Sequence, residues 1–86
     1  MWYVYVLKSK KDKMWYTGCT GDLGKRIKDH NEGKVYVTTP RKPLILIYYE
    51  ASFDKHDAFR REKYLKTGMG KRYIKNRLKN YLYDNK

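Results

Sequence analysis

Tyr5, Tyr16, Arg26, His30 and Glu62 put two phenols, a guanidinium, an imidazole and a carboxylate into one short basic chain. Together such groups can hold a divalent cation, grip a phosphate and move a proton, which points to metal-assisted chemistry on a phosphate ester. Each also has a plainer reading. Tyrosine is a common strand residue and eight others are present, so either phenol alone is most simply core packing. A phenol of pKa about 10 acts as a general base only if cations favour phenolate, or if it passes its proton along while positioning water. The fork of Arg26 can hold a non-bridging phosphate oxygen and offset charge developing in phosphoryl transfer, although simple exposure is the usual lot of an arginine among 21 cations. His30 can relay a proton near neutral pH or merely sit well at a helix C-terminus. His56, in the first turn of its helix with no companion group, has only the plain reading.

Glu62 carries the sharpest local signal. Ala58, Phe59 and Leu65 lie four before, three before and three after it, so they share its helical face and the carboxylate is aimed inward. Unpaired burial would cost on the order of several kcal/mol. The charge therefore needs a cation, and two remain open: a salt bridge to Arg26 or a neighbouring lysine, or a metal ion.

These side chains must be positioned by a small set of elements. Trp2 to Leu7 reads as a central strand, with Tyr3, Tyr5 and Leu7 on one face and Trp2, Val4 and Val6 on the other, both apolar. A polar loop from Lys8 to Lys13 returns the chain into a second strand, Met14 to Gly18, and antiparallel pairing brings Tyr16 back toward Tyr5. Thr20-Gly21-Asp22 offers an N-cap for a helix over Leu23 to Asn31, with Gly33 as its stop. In that helix Leu23 and Ile27 face the core while Arg26 and His30, four apart, form the adjoining row. After a Thr- and Pro-containing loop, Leu44 to Tyr49 is a third strand apolar on both sides. Asp54 caps a helix from Lys55 to about Lys66, Gly68 and Gly70 bracket a break, and Lys71 to Tyr83 forms a last helix with Ile74, Leu78, Tyr81 and Leu82 at core spacing.

With 86 residues the chain makes one domain, residues 1–86, with one modest core. Lys and Arg number 21 against 9 Asp and Glu, a net charge of +12, carried by both halves of the sequence. Such a body gains free energy by displacing counterions from a polyanion, so nucleic acid is the expected partner, RNA and DNA scoring equally on charge alone. Lys63, Lys66, Lys71, Arg72 and Lys75 belong to a run, Lys63 to Lys79, that contains no acidic residue and is expected to track a phosphate backbone. No apolar stretch approaches the ~20 residues of a membrane span and no signal pattern precedes the first strand, so a soluble, cytoplasmic protein is expected. One cysteine, Cys19, and two distant histidines argue against a disulfide or a structural zinc site. An aromatic content of 16% argues against disorder.

In this order and spacing the residues resemble the GIY-YIG nuclease superfamily, especially its small stand-alone bacterial members. Tyr3-Val4-Tyr5 stands where the first signature triplet has Gly-Ile-Tyr, and Tyr16-Thr17-Gly18 stands where the second has Tyr-Ile-Gly. Arg26 follows ten residues after Tyr16, His30 one helical turn later, and Glu62 sits within Ala58-Phe59-Arg60-Arg61-Glu62-Lys63-Tyr64-Leu65-Lys66. The resemblance implies an α+β fold, a three-stranded antiparallel sheet flanked by helices in the order β-β-α-β-α-α. It also implies a nuclease using one divalent ion, Mg2+ or Mn2+, held by Glu62 and phosphate oxygens, with no small-molecule cofactor. Carried over, a tyrosine, Tyr5 first among them, activates the attacking water directly or indirectly, Tyr16 and His30 position it, and Arg26 stabilises the transition state.

The leading expectation is thus a metal-dependent endonuclease acting on DNA with low intrinsic sequence specificity, since no separate targeting domain is attached. A noncatalytic nucleic-acid-binding module of the same fold, or a small RNA- or ribosome-associated protein, is the alternative.

Overall fold

The computed structural model describes residues 1–84. Strands β1 (Trp2–Ser9), β2 (Trp15–Thr20) and β3 (Leu44–Ser52) form one antiparallel sheet in the order β2-β1-β3. Helix α1 (Leu23–Asn31) follows β2, and α2 (Lys55–Leu65), α3 (Gly68–Arg77) and α4 (Lys79–Asp84) follow β3. The fold is α+β, a three-stranded antiparallel sheet flanked by helices, as the residue pattern implies. No helix of the described residues is long and apolar enough to cross a membrane.

β1 is central because both of its faces are apolar, and each face has its own core. Tyr5 and Leu7 pack with Leu44, Tyr16, Leu23, Ile27 and Leu46 on the side of α1. Val4 packs with Ala58, Leu65 and Ile74 on the side of α2 and α3, as side-chain alternation along a strand requires. β3 follows β1 with one irregularity, Ile47 being the extra residue between Leu46, opposite Leu7, and Tyr48, opposite Val6; a bulge of this kind keeps the apolar residues on either side facing their proper cores.

Local chemistry fixes the ends of the helices. The Asp22 carboxylate accepts from the Lys25 amide at the start of α1, and Asp54 accepts from the amides of His56 and Asp57 at the start of α2. Gly33 closes α1 with φ +79°, a conformation that a side chain disfavours. Asn31, the last residue of α1, behaves like a piece of strand: its side chain donates to the Leu44 carbonyl at 2.9 Å and accepts from the Leu44 amide at 2.7 Å. That pair of bonds pins the α1 end to the β3 start.

Several sequence expectations require correction. The second strand begins at Trp15 rather than Met14 and runs on to Thr20. Gly68 and Gly70 do not bracket a break; they lie in the first turn of α3, capped by Thr67, whose hydroxyl accepts from the Gly70 amide. A Cβ on Gly70 would lie 2.1 Å from the Tyr64 carbonyl oxygen and 2.4 Å from the Leu65 Cα, so this glycine permits α3 to approach the end of α2. The break itself falls just before the two glycines, at Lys66 and Thr67 between α2 and α3, and a second interruption comes at Leu78, which ends α3 with φ −102° and ψ 18°. Leu78 packs against the Val4 core, while beyond it α4 leaves Tyr81 exposed beside Lys8, Lys10 and Ile45 rather than in the core. Phe59 also stays outside: it meets Trp2 edge-on under the Lys55 ammonium, and its exposure shows that the apolar face of α2 is narrower than spacing suggests.

Candidate active site

The β1–β2 register pairs Tyr5 with Gly18 and Leu7 with Tyr16, so the two tyrosines are diagonal neighbours on one face, with ring centroids 6.4 Å apart. α1 crosses that face and lowers Arg26 and His30 onto them. The Tyr5 hydroxyl lies 2.9 Å from His30 Nε2, and Arg26 Nε donates to the same oxygen at 3.4 Å. His30 also sits edge-on to Tyr16, centroid to centroid 5.0 Å. Its other nitrogen, Nδ1, is 2.7 Å from the hydroxyl of Thr38, in the loop between α1 and β3.

The tetrad is layered by depth. Tyr5, His30 and Thr38 are each 0% exposed, and Tyr16 and Arg26 are half-buried toward the surface. Gly18 explains how Tyr5 fits: a Cβ there would lie 2.4 Å from the phenol oxygen and 2.5 Å from Cζ, contacts that no side chain can make. Burial pushes the Tyr5 phenol up to about 12, against the opposing hydrogen bond from Arg26. Burial, with the Arg26 charge adding to it, holds His30 down to about 4. Arg26 is held more firmly in its charged form, chiefly by its hydrogen bond to Tyr5 and further by Tyr16. At neutral pH the inner layer is therefore a neutral phenol against a neutral imidazole, with one guanidinium in front.

Glu62 approaches from the other side of the sheet, on α2, and makes no hydrogen bond to the tetrad; its charge reaches Tyr5 as a minor influence that raises the phenol. Its partner is the next-turn lysine, Lys66 Nζ at 3.0 Å from Oε2. Of the two cations open from sequence, the structure thus holds a neighbouring lysine. The Lys66 side chain is 53% exposed and that of Glu62 only 19%, so the lysine end of the pair is in water while the carboxylate is largely covered.

Lys66, the partner of Glu62, borders a cleft. A concavity of about 230 Å³ is lined by Trp15, Tyr16 and Thr17 of the edge strand β2 and by Lys66 and Lys71. A second, of about 210 Å³, shares Trp15 and Lys71 and adds Lys13, Met14 and Lys75. The two form a basic groove along β2 that Tyr16 borders. Of the five cations expected to follow phosphate, Lys66, Lys71 and Lys75 line it. Lys63 and Arg72 do not: Lys63 lies exposed on α2, and Arg72 borders a different hollow with Met69, Tyr73 and Asn76. Helical periodicity separates these residues, which a linear run of charge conceals. Sequence reasoning missed Lys13, Trp15 and Thr17, which the hairpin brings to the groove, and Thr38, whose loop has no periodicity to mark it. His56, exposed on α2, takes no part.

The GIY-YIG catalytic domain profile matches residues 1–75. The chain belongs to the GIY-YIG family. It is 45% identical over 65 residues to the UPF0213 protein YazA of Bacillus subtilis, covering 74% of this chain and 65% of YazA. It is 48% identical over 65 residues to the UPF0213 protein CPE1444 of Clostridium perfringens, covering 74% and 69% of the two chains. The solution NMR structure of the UPF0213 protein BH0048 from Bacillus halodurans superposes with a TM-score of 0.53 at 38% identity, covering 86% of this chain and 82% of that one. Against YazA, then, the chain spans slightly less than two thirds of its relative's length. Membership in the GIY-YIG family makes this a nuclease-type domain.

The donor set bears on the metal that the family implies. Among the described residues no group of three or more His, Cys, Asp or Glu could form a cage, which rules against a zinc-type site. Glu62 offers a single carboxylate, a hard oxygen ligand, paired with one of the lysines that line the cleft. That set suits Mg2+ or Mn2+, which bind through one or two carboxylates and complete their shell with water and phosphate oxygens. The residues present fit such an ion.

Proposed function

We propose that this GIY-YIG domain is a divalent-metal-dependent endonuclease that hydrolyses phosphodiester bonds in DNA with low intrinsic sequence specificity. The observation that carries this reading is the convergence of Arg26 and His30 on the Tyr5 oxygen, beside Tyr16, a residue that borders a lysine-lined groove. A phosphate drawn along Lys75, Lys71 and Lys66 arrives at Tyr16 with Arg26 next to it. There the guanidinium can pair with a non-bridging oxygen and offset the charge that builds on phosphorus as water attacks.

Tyr16 is the phenol that substrate and water can reach; Tyr5 is sealed beneath Gly18 and acts through it. Neither Tyr5, raised to about 12, nor His30, lowered to about 4, carries charge at neutral pH. The chain therefore holds no preformed phenolate and handles the water proton by hand-over along hydrogen bonds. Glu62 would hold a Mg2+ or Mn2+ ion, which when bound would supply positive charge to acidify water and offset the phosphate charge. The exposed Lys66 ammonium can swing into water and leave the Glu62 carboxylate to that ion. Low sequence specificity follows from the groove, whose polar lining is mostly ammonium groups suited to phosphate rather than to base edges.

The test is cleavage of supercoiled plasmid, single-stranded DNA and a branched junction with Mg2+, with Mn2+ and with chelator, wild type beside Glu62→Gln. Metal-dependent cutting that Glu62→Gln abolishes, while salt-sensitive binding survives, is the expected result. A variant that cuts normally would remove Glu62 from the metal; binding without cutting of any substrate would make the chain a nucleic-acid-binding module.

A further inference from the structure

We infer that Thr38 is a positioning residue that fixes His30 in the Nδ1–H tautomer, so that His30 accepts the Tyr5 hydroxyl proton in a hydrogen bond and leaves the Tyr5 lone pair turned toward Arg26. The catalytic half of this inference rests on the nuclease reading of the site; the tautomer does not.

The inference comes from counting protons in a place closed to water. Tyr5, His30 and Thr38 are all fully buried, each has one transferable hydrogen in its neutral form, and buried donors rarely go unused. In one arrangement Arg26 Nε–H donates to the Tyr5 oxygen at 3.4 Å, Tyr5 O–H to His30 Nε2 at 2.9 Å, His30 Nδ1–H to Thr38 Oγ1 at 2.7 Å, and Thr38 O–H to the Val35 carbonyl at 3.4 Å. Every donor is used once, and the chain runs in one direction, from the guanidinium inward to a backbone carbonyl. In the reverse arrangement Thr38 donates to Nδ1 and Nε2–H donates to Tyr5. The Tyr5 proton then has no acceptor among the described residues.

Magnitudes decide between the two. An unused buried hydroxyl donor costs about 1–3 kcal/mol. What the reverse arrangement gains is release of a long bond onto a crowded carbonyl, since Val35 already accepts from the amides of Thr38 at 3.1 Å and Thr39 at 3.0 Å and from the Thr39 hydroxyl at 2.8 Å. A fourth, 3.4 Å contact there is worth little, so relieving it does not repay the stranded phenol. The inward arrangement prevails.

Its consequence lies at the reacting end. With its own proton engaged by His30, the Tyr5 oxygen faces outward as an acceptor. It takes the Arg26 Nε–H there and so holds the guanidinium beside Tyr16, where it can pair with a phosphate oxygen. No proton leaves Tyr5, and the imidazole stays neutral in its buried place. With the reverse tautomer Tyr5 would turn its own proton toward the guanidinium and weaken that hold.

The tautomer can be read directly in the whole 15N-labelled chain by long-range 1H–15N correlation of the two histidine rings at neutral pH, exposed His56 serving as internal reference. Wild-type His30 is expected to carry its proton on Nδ1, the less common site for free imidazole, and Thr38→Ser to keep it there. Thr38→Val, which matches the shape but offers no acceptor to Nδ1–H, is expected to move the proton to Nε2 and to slow cleavage at least about tenfold with KM unchanged. Wild-type His30 protonated on Nε2 would overturn the inference even if Thr38→Val failed to fold. So would an unshifted tautomer in a folded Thr38→Val chain. Absence of cleavage in the wild type would count against the nuclease reading and leave the tautomer result standing.

Discussion

Tyr5 and His30 form a buried pair of titratable groups, both neutral and both displaced from their ordinary pKa values in the direction that burial dictates. His30, lowered from 6.5 to about 4, binds fewer protons in the folded than in the unfolded chain between those values. Its contribution to stability is therefore complete above about pH 6.5 and lost as pH falls toward 4. Tyr5, raised from 10.0 to about 12, works at the other end: the unfolded phenol ionises first, so stability is lost as pH rises from about 10 toward 12. Urea denaturation followed across pH should show a plateau between those limits, with the acid shoulder, on the order of a few kcal/mol, reduced in a folded His30→Gln chain. An acid shoulder between about pH 6.5 and 4 unchanged by that substitution would place the loss in groups other than His30; Asp12 and Asp29, held below the usual carboxylate range by hydrogen bonds from the Met14 amide and the Lys25 ammonium respectively, lose their contributions only at lower pH.

At the scale of elements the two glycines of α3 separate packing from propensity. Replacing glycine by alanine inside a helix gains up to about 1 kcal/mol from backbone entropy and helix propensity. At Gly68 nothing lies within 4 Å of the added Cβ, so Gly68→Ala is expected to be neutral or to stabilise by up to that amount. At Gly70 the Cβ would meet backbone of Tyr64 and Leu65 at 2.1–2.8 Å. Backbone cannot swing aside, and overpacking costs about 1–3 kcal/mol or more, so Gly70→Ala should destabilise in equilibrium denaturation despite its better propensity. Equal stability of the two variants would mean that α3 does not dock closely on α2.

The same pair shows what a sequence hides. Strand β1 was legible because two apolar faces on one short strand can only be central, and Asp22 and Asp54 announced α1 and α2 because a carboxylate before an apolar-periodic run satisfies free amides. Arg26 and His30 were legible as one row because helical spacing is local. Gly68 and Gly70 read as a break because propensity gives glycine no packing role; the contact that demands Gly70 is tertiary. The depth of Tyr5 and the anchoring of His30 were likewise out of reach, since they depend on Gly18 across the sheet and on Thr38 in a loop.

The whole molecule carries +12, and any such body binds nucleic acid at low salt, so affinity alone says nothing about where the substrate lies. The groove makes a sharper claim. Lys71 and Lys75 line it next to Trp15, while Lys63 and Arg72, equally charged and close in sequence, stand outside. Each phosphate contact contributes a slope of about −0.9 to the dependence of log affinity on log salt for duplex DNA. Removing Lys71 and Lys75 together as glutamines should flatten that slope by nearly two. Lys63→Gln with Arg72→Gln removes the same net charge and should flatten it far less, because these cations act only at long range, where salt screens them within about 10 Å at 0.1 M. The measurement is a salt titration of binding to one duplex by both double variants, in chelator so that no strand is cut. Equal flattening would mean that the nucleic acid rides on the general charge of α2 and α3 and that the groove at Tyr16 does not select its path; a difference between two chains of identical net charge can come only from the position of the phosphates.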